Sequence, residues 1–127
     1  MRKLLPAVVV CIMASLSPCS AEPVMDRDVI DSGNFMLQHC QHVLSQKYQL
    51  DSLDGECIGV IRTLVFLDSA LPDKWKFCAP NKVTPEQSIR VVVKYMEAHP
   101  GKLHLNFKEL AMSALAEAWP CRNIWGK

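Results

Sequence analysis

The sequence predicts a small all-α protein, a bundle of about four helices held together by disulfide bridges. Apolar residues recur at helical spacing along four separate segments, and we expect no strands. Between Cys78 and Cys121, two of these segments are joined at His99-Pro100-Gly101, which predicts a helical hairpin with a cysteine at each end of its open side. Since such a pair of cysteines is useful only where thiols oxidise, the sequence also indicates an exported protein.

The first 21 residues have the composition of a signal peptide. Residues 1–3 (Met-Arg-Lys) are basic, residues 4–16 form a mostly apolar run, and Cys19-Ser20-Ala21 places small residues where a signal peptidase reads the chain. We therefore expect cleavage after Ala21, which leaves residues 22–127 as a single helical domain.

Two other interpretations of this segment were weighed. A membrane anchor needs roughly 20 apolar residues, and this run is shorter. Lipid attachment at Cys19 is the second alternative, but Pro18 stands where a small Gly, Ala or Ser is expected. A cleaved leader is favoured over both, so no membrane association is expected after cleavage.

Removal of the leader changes what the composition means. The full chain has 14 basic residues, 13 acidic residues and six cysteines. The leader holds Arg2, Lys3, Cys11 and Cys19 and no acid, so 12 basic residues face 13 acidic ones and four cysteines stay. A nearly neutral domain has no electrostatic basis for binding nucleic acid or anionic lipid. An even number of cysteines in a small exported domain indicates two disulfides.

Two predicted helices occupy the first half of the domain. Residues 31–34 offer caps for the first helix. Its apolar stripe consists of Leu37, Cys40, Val43, Leu44 and Tyr48. His39, Gln41 and Gln46 are expected to point away from this stripe. After a polar turn at residues 51–55, the second helix starts at Glu56 and is apolar on most sides, so we expect it to be central and buried. Its Gly59 costs about 1 kcal/mol relative to Ala, which predicts a close helix crossing there.

The third predicted helix has the clearest start in the chain. Thr84 is its cap, Pro85 takes the first helical position, and Gln87 completes a capping box. Its buried stripe is predicted to be Ile89, Val92, Val93 and Met96, and His99-Pro100 ends it. Pro120 ends the fourth helix, which carries the apolar residues Leu103, Phe107, Leu110, Ala111, Ala114, Leu115 and Ala118.

Four cysteines allow three pairings, and hairpin geometry favours one of them. Helices joined by short turns lie antiparallel, so the end of one helix lies beside the start of the next. By this argument Cys57 lies close to Cys40, and Cys78, ahead of the third helix, lies close to Cys121 at the end of the fourth. We predict the bridges Cys40–Cys57 and Cys78–Cys121.

No catalytic residue, metal ligand or cofactor site is predicted. His39-Cys40-Gln41-His42 resembles a zinc cluster only superficially, because it lacks the paired spacings of structural zinc sites and exported thiols are normally oxidised. An oxidised cysteine is also no nucleophile. The chain has no nucleophile elbow, phosphate loop or zinc-protease helix. We therefore expect a protein that is not an enzyme.

The longest connection places aromatic residues among charges, in Pro72-Asp73-Lys74-Trp75-Lys76-Phe77. One interpretation is a lid that folds over the core and is held by Cys78. The other is a recognition loop, because Trp within a charged rim is typical of binding hot spots. Both interpretations are left open by the residues alone.

Several ordered segments resemble the Rap1a/Tai family, and together they span about residues 30–121. They are Ser32-Gly33-Asn34 followed by Leu37 and Cys40, Cys57-Ile58-Gly59-Val60-Ile61, Cys78-Ala79-Pro80, Val83-Thr84-Pro85-Glu86-Gln87, Val91-Val92-Val93-Lys94-Tyr95, His99-Pro100, and Ala114-Leu115 ahead of Trp119-Pro120-Cys121. No single segment is specific, but their order together with four cysteines is.

The resemblance implies a function as well as a fold. It implies a periplasmic immunity protein of a type VI secretion system, which binds a peptidoglycan amidase effector, blocks it sterically and often works as a homodimer. Because the family motifs are mostly caps, bridges and core, we expect the partner contacts at unmatched positions, namely Asp73, Lys74 and Trp75. The alternative function is a periplasmic housekeeping protein, such as a small chaperone of the acid-stress kind.

Overall fold

The computed structural model describes residues 26–45 and 49–121, and the predicted leader, Tyr48 and residues 122–127 lie outside them. Within the described residues the chain is all-helical, with five α-helices and no strand, which confirms the predicted fold class. A short α1 precedes the four expected helices. The helices are α1 (Arg27–Ile30), α2 (Gly33–Ser45), α3 (Ser52–Leu67), α4 (Pro85–Ala98) and α5 (Phe107–Ala118).

The helices pack as two hairpins, α2 with α3 and α4 with α5, and α4 lies against α2, α3 and α5. Helices α4 and α5 each bury five residues, whereas α3 buries three, one of which is Asp54. The prediction that the apolar second helix is the central one is therefore wrong. The buried apolar core consists of Met36, Cys40, Cys57, Ile61, Phe77, Ile89, Val92, Val93, Met96, Phe107, Leu110, Ala111, Ala114 and Leu115.

Both predicted disulfides are present. Cys40 in α2 is bonded to Cys57 in α3, and Cys78 ahead of α4 is bonded to Cys121 after α5. Each bridge therefore closes one helical hairpin. The backbone N–H of Cys78 also donates to the carbonyl oxygen of Trp119 at 2.8 Å, which adds a second tie at the open end of the α4–α5 hairpin.

Helix α3 begins earlier than the sequence suggested. Its cap is Asp51, whose side chain accepts hydrogen bonds from the N–H groups of Leu53 and Asp54, while Asp54 bonds back to the Asp51 N–H. This full capping box places the helix start at Ser52, so the prediction of a polar turn followed by a start at Glu56 is wrong.

Helix α4 starts as predicted. Pro85 is its first residue, and the Thr84 hydroxyl accepts from the N–H of Gln87 at 3.1 Å. Only this half of the predicted capping box is formed within the described residues. The helix ends at Ala98, ahead of a 3₁₀ turn at Pro100–Lys102.

Helix α5 is shorter than its apolar stripe suggested. It starts at Phe107, capped by Asn106, so Leu103 lies in the turn before it, and Ala118 at its end is exposed. The turn holds the start of α2, because the N–H groups of Gly33 and Asn34 donate to the carbonyl oxygens of Leu105 and Leu103 at 2.9 and 2.8 Å. This pairing fixes the N-terminus of α2 against the α4–α5 hairpin.

Candidate partner-binding surface

The connection between α3 and α4 is anchored at several points. After α3 a 3₁₀ turn spans Asp68–Ala70, and the Asp68 carboxylate accepts from the N–H of Ala79 at 3.3 Å. Phe77 is fully buried in the core, and the next residue, Cys78, forms a disulfide. The segment from Leu71 to Lys76 is therefore held between two fixed points.

Asp73, Lys74 and Trp75 lie together on one turn of this connection. The turn is closed by a hydrogen bond from the Trp75 N–H to the Pro72 carbonyl at 2.8 Å. The Asp73 side chain is fully exposed, and the Lys74 ammonium lies 4.6 Å from the centroid of the Trp75 ring, within cation–π range. Trp75 itself is half-buried, so one part of its indole faces water. The role of these three residues in partner contact stays a prediction.

Phe77, rather than Trp75, attaches this connection to the core. Phe77 is completely buried, while Trp75 is not among the residues packed on the core cluster. The lid interpretation therefore applies to Phe77 at the end of the segment, whereas Asp73 and Lys74 in its turn are exposed to solvent. The two aromatic residues were not told apart from the sequence, because each follows a lysine in the same charged segment.

An apolar surface on α3 was missed by the sequence analysis. Phe66 is 85% exposed, the largest value among the exposed large apolar residues of the described chain. It borders a groove that is lined by Arg62 and Val65 from α3 and by Val83, Pro85 and Ser88 from the end of the connection and the start of α4. Both ends of the Asp68–Thr84 connection therefore border the same groove.

The apolar run itself indicated that some apolar face of α3 stays exposed, although it did not indicate which face. Ile58, Arg62 and Phe66 are spaced four apart and share one face of α3, whereas the fully buried Cys57 and Ile61 share another. A helix that packs on one side only cannot bury apolar residues on all sides. The excess of apolar residues in α3 thus indicated an exposed apolar face.

Small residues form a second exposed face of α3. Gly55, Gly59 and Thr63 are all exposed, and they line a shallow groove with Ile58, Arg62 and Phe66. A Cβ added at Gly55 or Gly59 would meet no atom of the described chain within 4 Å. The predicted close helix crossing at Gly59 is therefore wrong within this chain.

A cluster of polar side chains joins α2 to the start of α3. Asp54 is fully buried, its Oδ1 lies 3.0 Å from His39 Nδ1, and its Oδ2 lies 2.6 Å from His42 Nδ1. The Asp51 N–H also donates to Asp54 Oδ2 at 3.0 Å. His39, expected to point away from the packed face, is instead part of this cluster. The sequence offered no sign of it, because the partners lie on different helices.

The ionised form of Asp54 is favoured by its surroundings. Burial by itself raises the pKa of this carboxyl, but the hydrogen bond from the Asp51 backbone, those from His39 and His42, and the charge of His42 together outweigh burial and lower the pKa below its ordinary value. A buried carboxylate with three hydrogen-bond partners holds α2 firmly against the start of α3.

Among residues 26–45 and 49–121, all four cysteines are in disulfides, so none provides a thiolate there. None of the helices within the same residues is both long and apolar enough to cross a membrane. The features that the structure does present are an exposed aromatic residue that borders an apolar groove, and a charged turn in the connection between α3 and α4.

These features define a small disulfide-stapled helical protein with an exposed apolar surface on α3. The chain belongs to the Rap1a immunity protein family, whose model matches residues 32–121, and the resemblance seen in the sequence is thereby confirmed. No curated protein and no solved structure matches the chain. Rap1a immunity proteins are inhibitors of secreted effectors, they bind a cognate effector protein, and they are typically periplasmic.

Proposed function

We propose that this protein is exported to the periplasm through its first 21 residues, and that residues 22–127 there bind and sterically block a peptidoglycan amidase effector of a type VI secretion system. The family match supports the immunity role. The two disulfides support an oxidising compartment, because structural disulfides are rare in proteins of the cytosol.

The observation that carries the proposed binding surface is the exposure of Phe66. An aromatic side chain that is 85% exposed beside an apolar groove is typical of a residue that becomes buried in a complex. In this proposal Phe66 enters or covers an apolar part of the effector, and Arg62 contributes a charge at the rim.

Asp73, Lys74 and Trp75 complete the surface in this proposal. Their turn is anchored by Phe77 and by the Cys78–Cys121 disulfide, so little conformational entropy is lost when it docks. A rigid turn that enters the substrate groove keeps peptidoglycan away from the effector's catalytic residues. The immunity protein needs no chemistry of its own for this mechanism.

The first experiment measures binding of the purified domain to the hydrolase encoded by the neighbouring gene, together with cleavage of peptidoglycan by that hydrolase. We expect tight binding and loss of cleavage. Weak binding to many unfolded proteins, with no effect on cleavage, would instead support the chaperone alternative.

Two variants test the surface. Phe66→Ser and Trp75→Ala should each weaken binding by about 30-fold or more, the effect of losing a hot spot of about 2 kcal/mol. Val29→Ser is the matched control, because Val29 is also an exposed apolar residue, at 52%, but lies on α1. Unchanged inhibition by both variants would contradict this assignment of the surface.

Self-association is a further part of the proposal. The resemblance to the Rap1a/Tai family implies a homodimer, and the exposed small-residue face of α3 has room for a second helix. Light scattering of the domain alone, of Trp75→Ala and of a complex with the effector separates the two roles, because Trp75 is not in the lining of the shallow groove on this face and a variant that alters only effector contact keeps the mass of the free protein.

A further inference from the structure

Three potential metal ligands converge where α2 meets the start of α3. His39 Nδ1 lies 3.0 Å from Asp54 Oδ1 and 3.8 Å from Asp51 Oδ1. One ligand atom from each of His39, Asp51 and Asp54 can be chosen so that all three lie within 4.8 Å of one another. The three residues come from two helices and a cap, so only the folded chain brings them together.

We propose that His39, Asp51 and Asp54 bind one Zn²⁺ ion, and that His42 positions Asp54 for it. The proposal concerns a site separate from the Phe66 surface and does not depend on the identity of the effector. It also differs from the cysteine-based zinc cluster rejected on the sequence, because Cys40 is in a disulfide and takes no part.

The spacing suits a tetrahedral ion. Zn–N and Zn–O bonds of about 2.0–2.2 Å place neighbouring ligand atoms about 3.3–3.6 Å apart. His39 Nδ1 and Asp54 Oδ1 are 3.0 Å apart, close to this range, and a carboxylate oxygen of Asp51 lies within 4.8 Å of both, so small side-chain rotations bring the three atoms onto one ion. One imidazole and two carboxylates are a ligand set that suits zinc better than magnesium or calcium, which prefer oxygen alone.

The site is buried on the Asp54 side and open to solvent on the Asp51 side. The Asp54 side chain is fully buried and the His39 side chain is 16% exposed, whereas the Asp51 side chain is 58% exposed. Metal therefore has a path in from the Asp51 side, and a water molecule can occupy the fourth position. Asp51 Oδ1 is used as a helix cap, while no group in the described part of the chain donates to Asp51 Oδ2.

His42 fixes the second oxygen of the central carboxylate. His42 Nδ1 lies 2.6 Å from Asp54 Oδ2, and the Asp51 N–H donates to the same oxygen, so Oδ1 is the oxygen directed to the metal. Hydrogen bonds of this kind to a ligating carboxylate orient it and raise metal affinity. His42 is thus a positioning residue in this proposal.

Binding needs only a proton transfer within His39. In the metal-free protein its Nδ1 carries the proton and donates to Asp54. When Zn²⁺ coordinates Nδ1, the imidazole carries its proton on Nε2 instead. The metal–ligand bonds replace one hydrogen bond, and they join α2 to the first turn of α3 beside the Cys40–Cys57 bridge.

The test is zinc titration of the tag-free domain by calorimetry after removal of metal with a chelator, with Mg²⁺ as the comparison ion. We expect one Zn²⁺ per chain, a rise in melting temperature with zinc, and no such effect of Mg²⁺. Co²⁺ in place of Zn²⁺ should show the intense visible absorption of a tetrahedral site.

Asp51→Asn is the sharpest variant, because Asn caps a helix as well as Asp does but is a far weaker metal ligand. It and His39→Gln should each weaken zinc binding at least about tenfold. His104→Gln, a change of an exposed histidine outside the cluster, should have no effect. Zinc binding of equal strength in wild type and Asp51→Asn would overturn the proposal, as would a stoichiometry well below one.

Discussion

Phe66 precedes the connection between α3 and α4, Phe77 lies within it, and the two have opposite environments. Phe66, at the end of α3, is 85% exposed, whereas Phe77, one residue before the Cys78 bridge, is fully buried. The first is therefore available to a partner, and the second holds the connection to the core. This difference separates the effects that their replacement should have.

Phe77→Ala should destabilise the domain by about 3–5 kcal/mol, because the change deletes a buried aromatic ring and leaves a cavity. Phe66→Ser should change the free energy of unfolding by less than about 0.5 kcal/mol, the usual range for exposed positions. Urea unfolding followed by circular dichroism compares the two variants. A large loss of stability in Phe66→Ser would show that Phe66 packs in solution and would weaken its assignment to the partner surface.

Two glycines should respond in opposite directions to replacement by alanine. A Cβ at Gly33 would clash with the Leu110 side chain and lie 3.1 Å from the Leu103 carbonyl oxygen, whereas a Cβ at Gly59 meets nothing within 4 Å. Gly33→Ala should therefore cost about 1–3 kcal/mol. Gly59→Ala should gain about 0.5–1 kcal/mol, because Ala is the better helix former.

The melting temperatures of Gly33→Ala and Gly59→Ala in the isolated domain test this pair. If both variants melt higher than wild type, the α2 start has room that the structure does not show. A loss of stability in Gly59→Ala that grows with protein concentration would indicate a contact between copies at the α3 face.

Asp54 should make stability depend on acid pH. Its pKa is lower in the folded protein than in the unfolded chain, so near pH 3–4 the unfolded chain binds more protons. The contribution of Asp54 is therefore complete above its unfolded pKa of about 3.9, and it is lost as the pH falls through the lower folded value. Wild type should lose this stability as the pH falls below about 4.

Asp54→Asn should remove that part of the pH dependence and cost about 1–3 kcal/mol at neutral pH, because its amide group cannot accept from all three donors. Asp73→Asn is the control, since Asp73 is fully exposed, and it should match wild type at every pH. Urea unfolding from pH 2 to pH 7 with EDTA present measures both without any contribution from metal. A steep acid transition that persists unchanged in Asp54→Asn would contradict the role given to this carboxylate.

Local signals explain why much of the fold was predictable. Thr84 and Pro85 mark the start of α4 through contacts within four residues, and the hairpin breaks place Cys57 near Cys40 and Cys78 near Cys121 without knowledge of the packing. The start of α3 was misplaced because Asp51 was taken for part of a turn, although Asp is a strong helix cap.

The candidate sites depended on contacts that sequence spacing does not encode. Burial of Asp54 needs two histidines from another helix, and nothing in the local pattern distinguishes it from an exposed acid. The exposure of Phe66 depends on which face of α3 meets α4, and an all-round apolar helix does not reveal that face. The Asp73–Trp75 turn was singled out from its composition, which is a property of the segment itself, and its role in partner contact stays a prediction.

Loss of the Cys78–Cys121 bridge should destabilise the domain more than loss of Cys40–Cys57. The first closes a separation of 43 residues and the second one of 17 residues. Chain entropy then gives about 4 and about 3 kcal/mol, respectively. The pairwise replacements Cys78→Ser with Cys121→Ser and Cys40→Ser with Cys57→Ser, each unfolded in urea, measure the two values.

The Cys78 bridge also anchors the Asp73–Trp75 turn, so its loss should weaken effector binding. The variant that lacks the Cys40–Cys57 bridge should retain effector binding in the molecules that stay folded. If the second pair loses affinity as strongly as the first while both remain folded, the turn is not the element that the bridge preorganises.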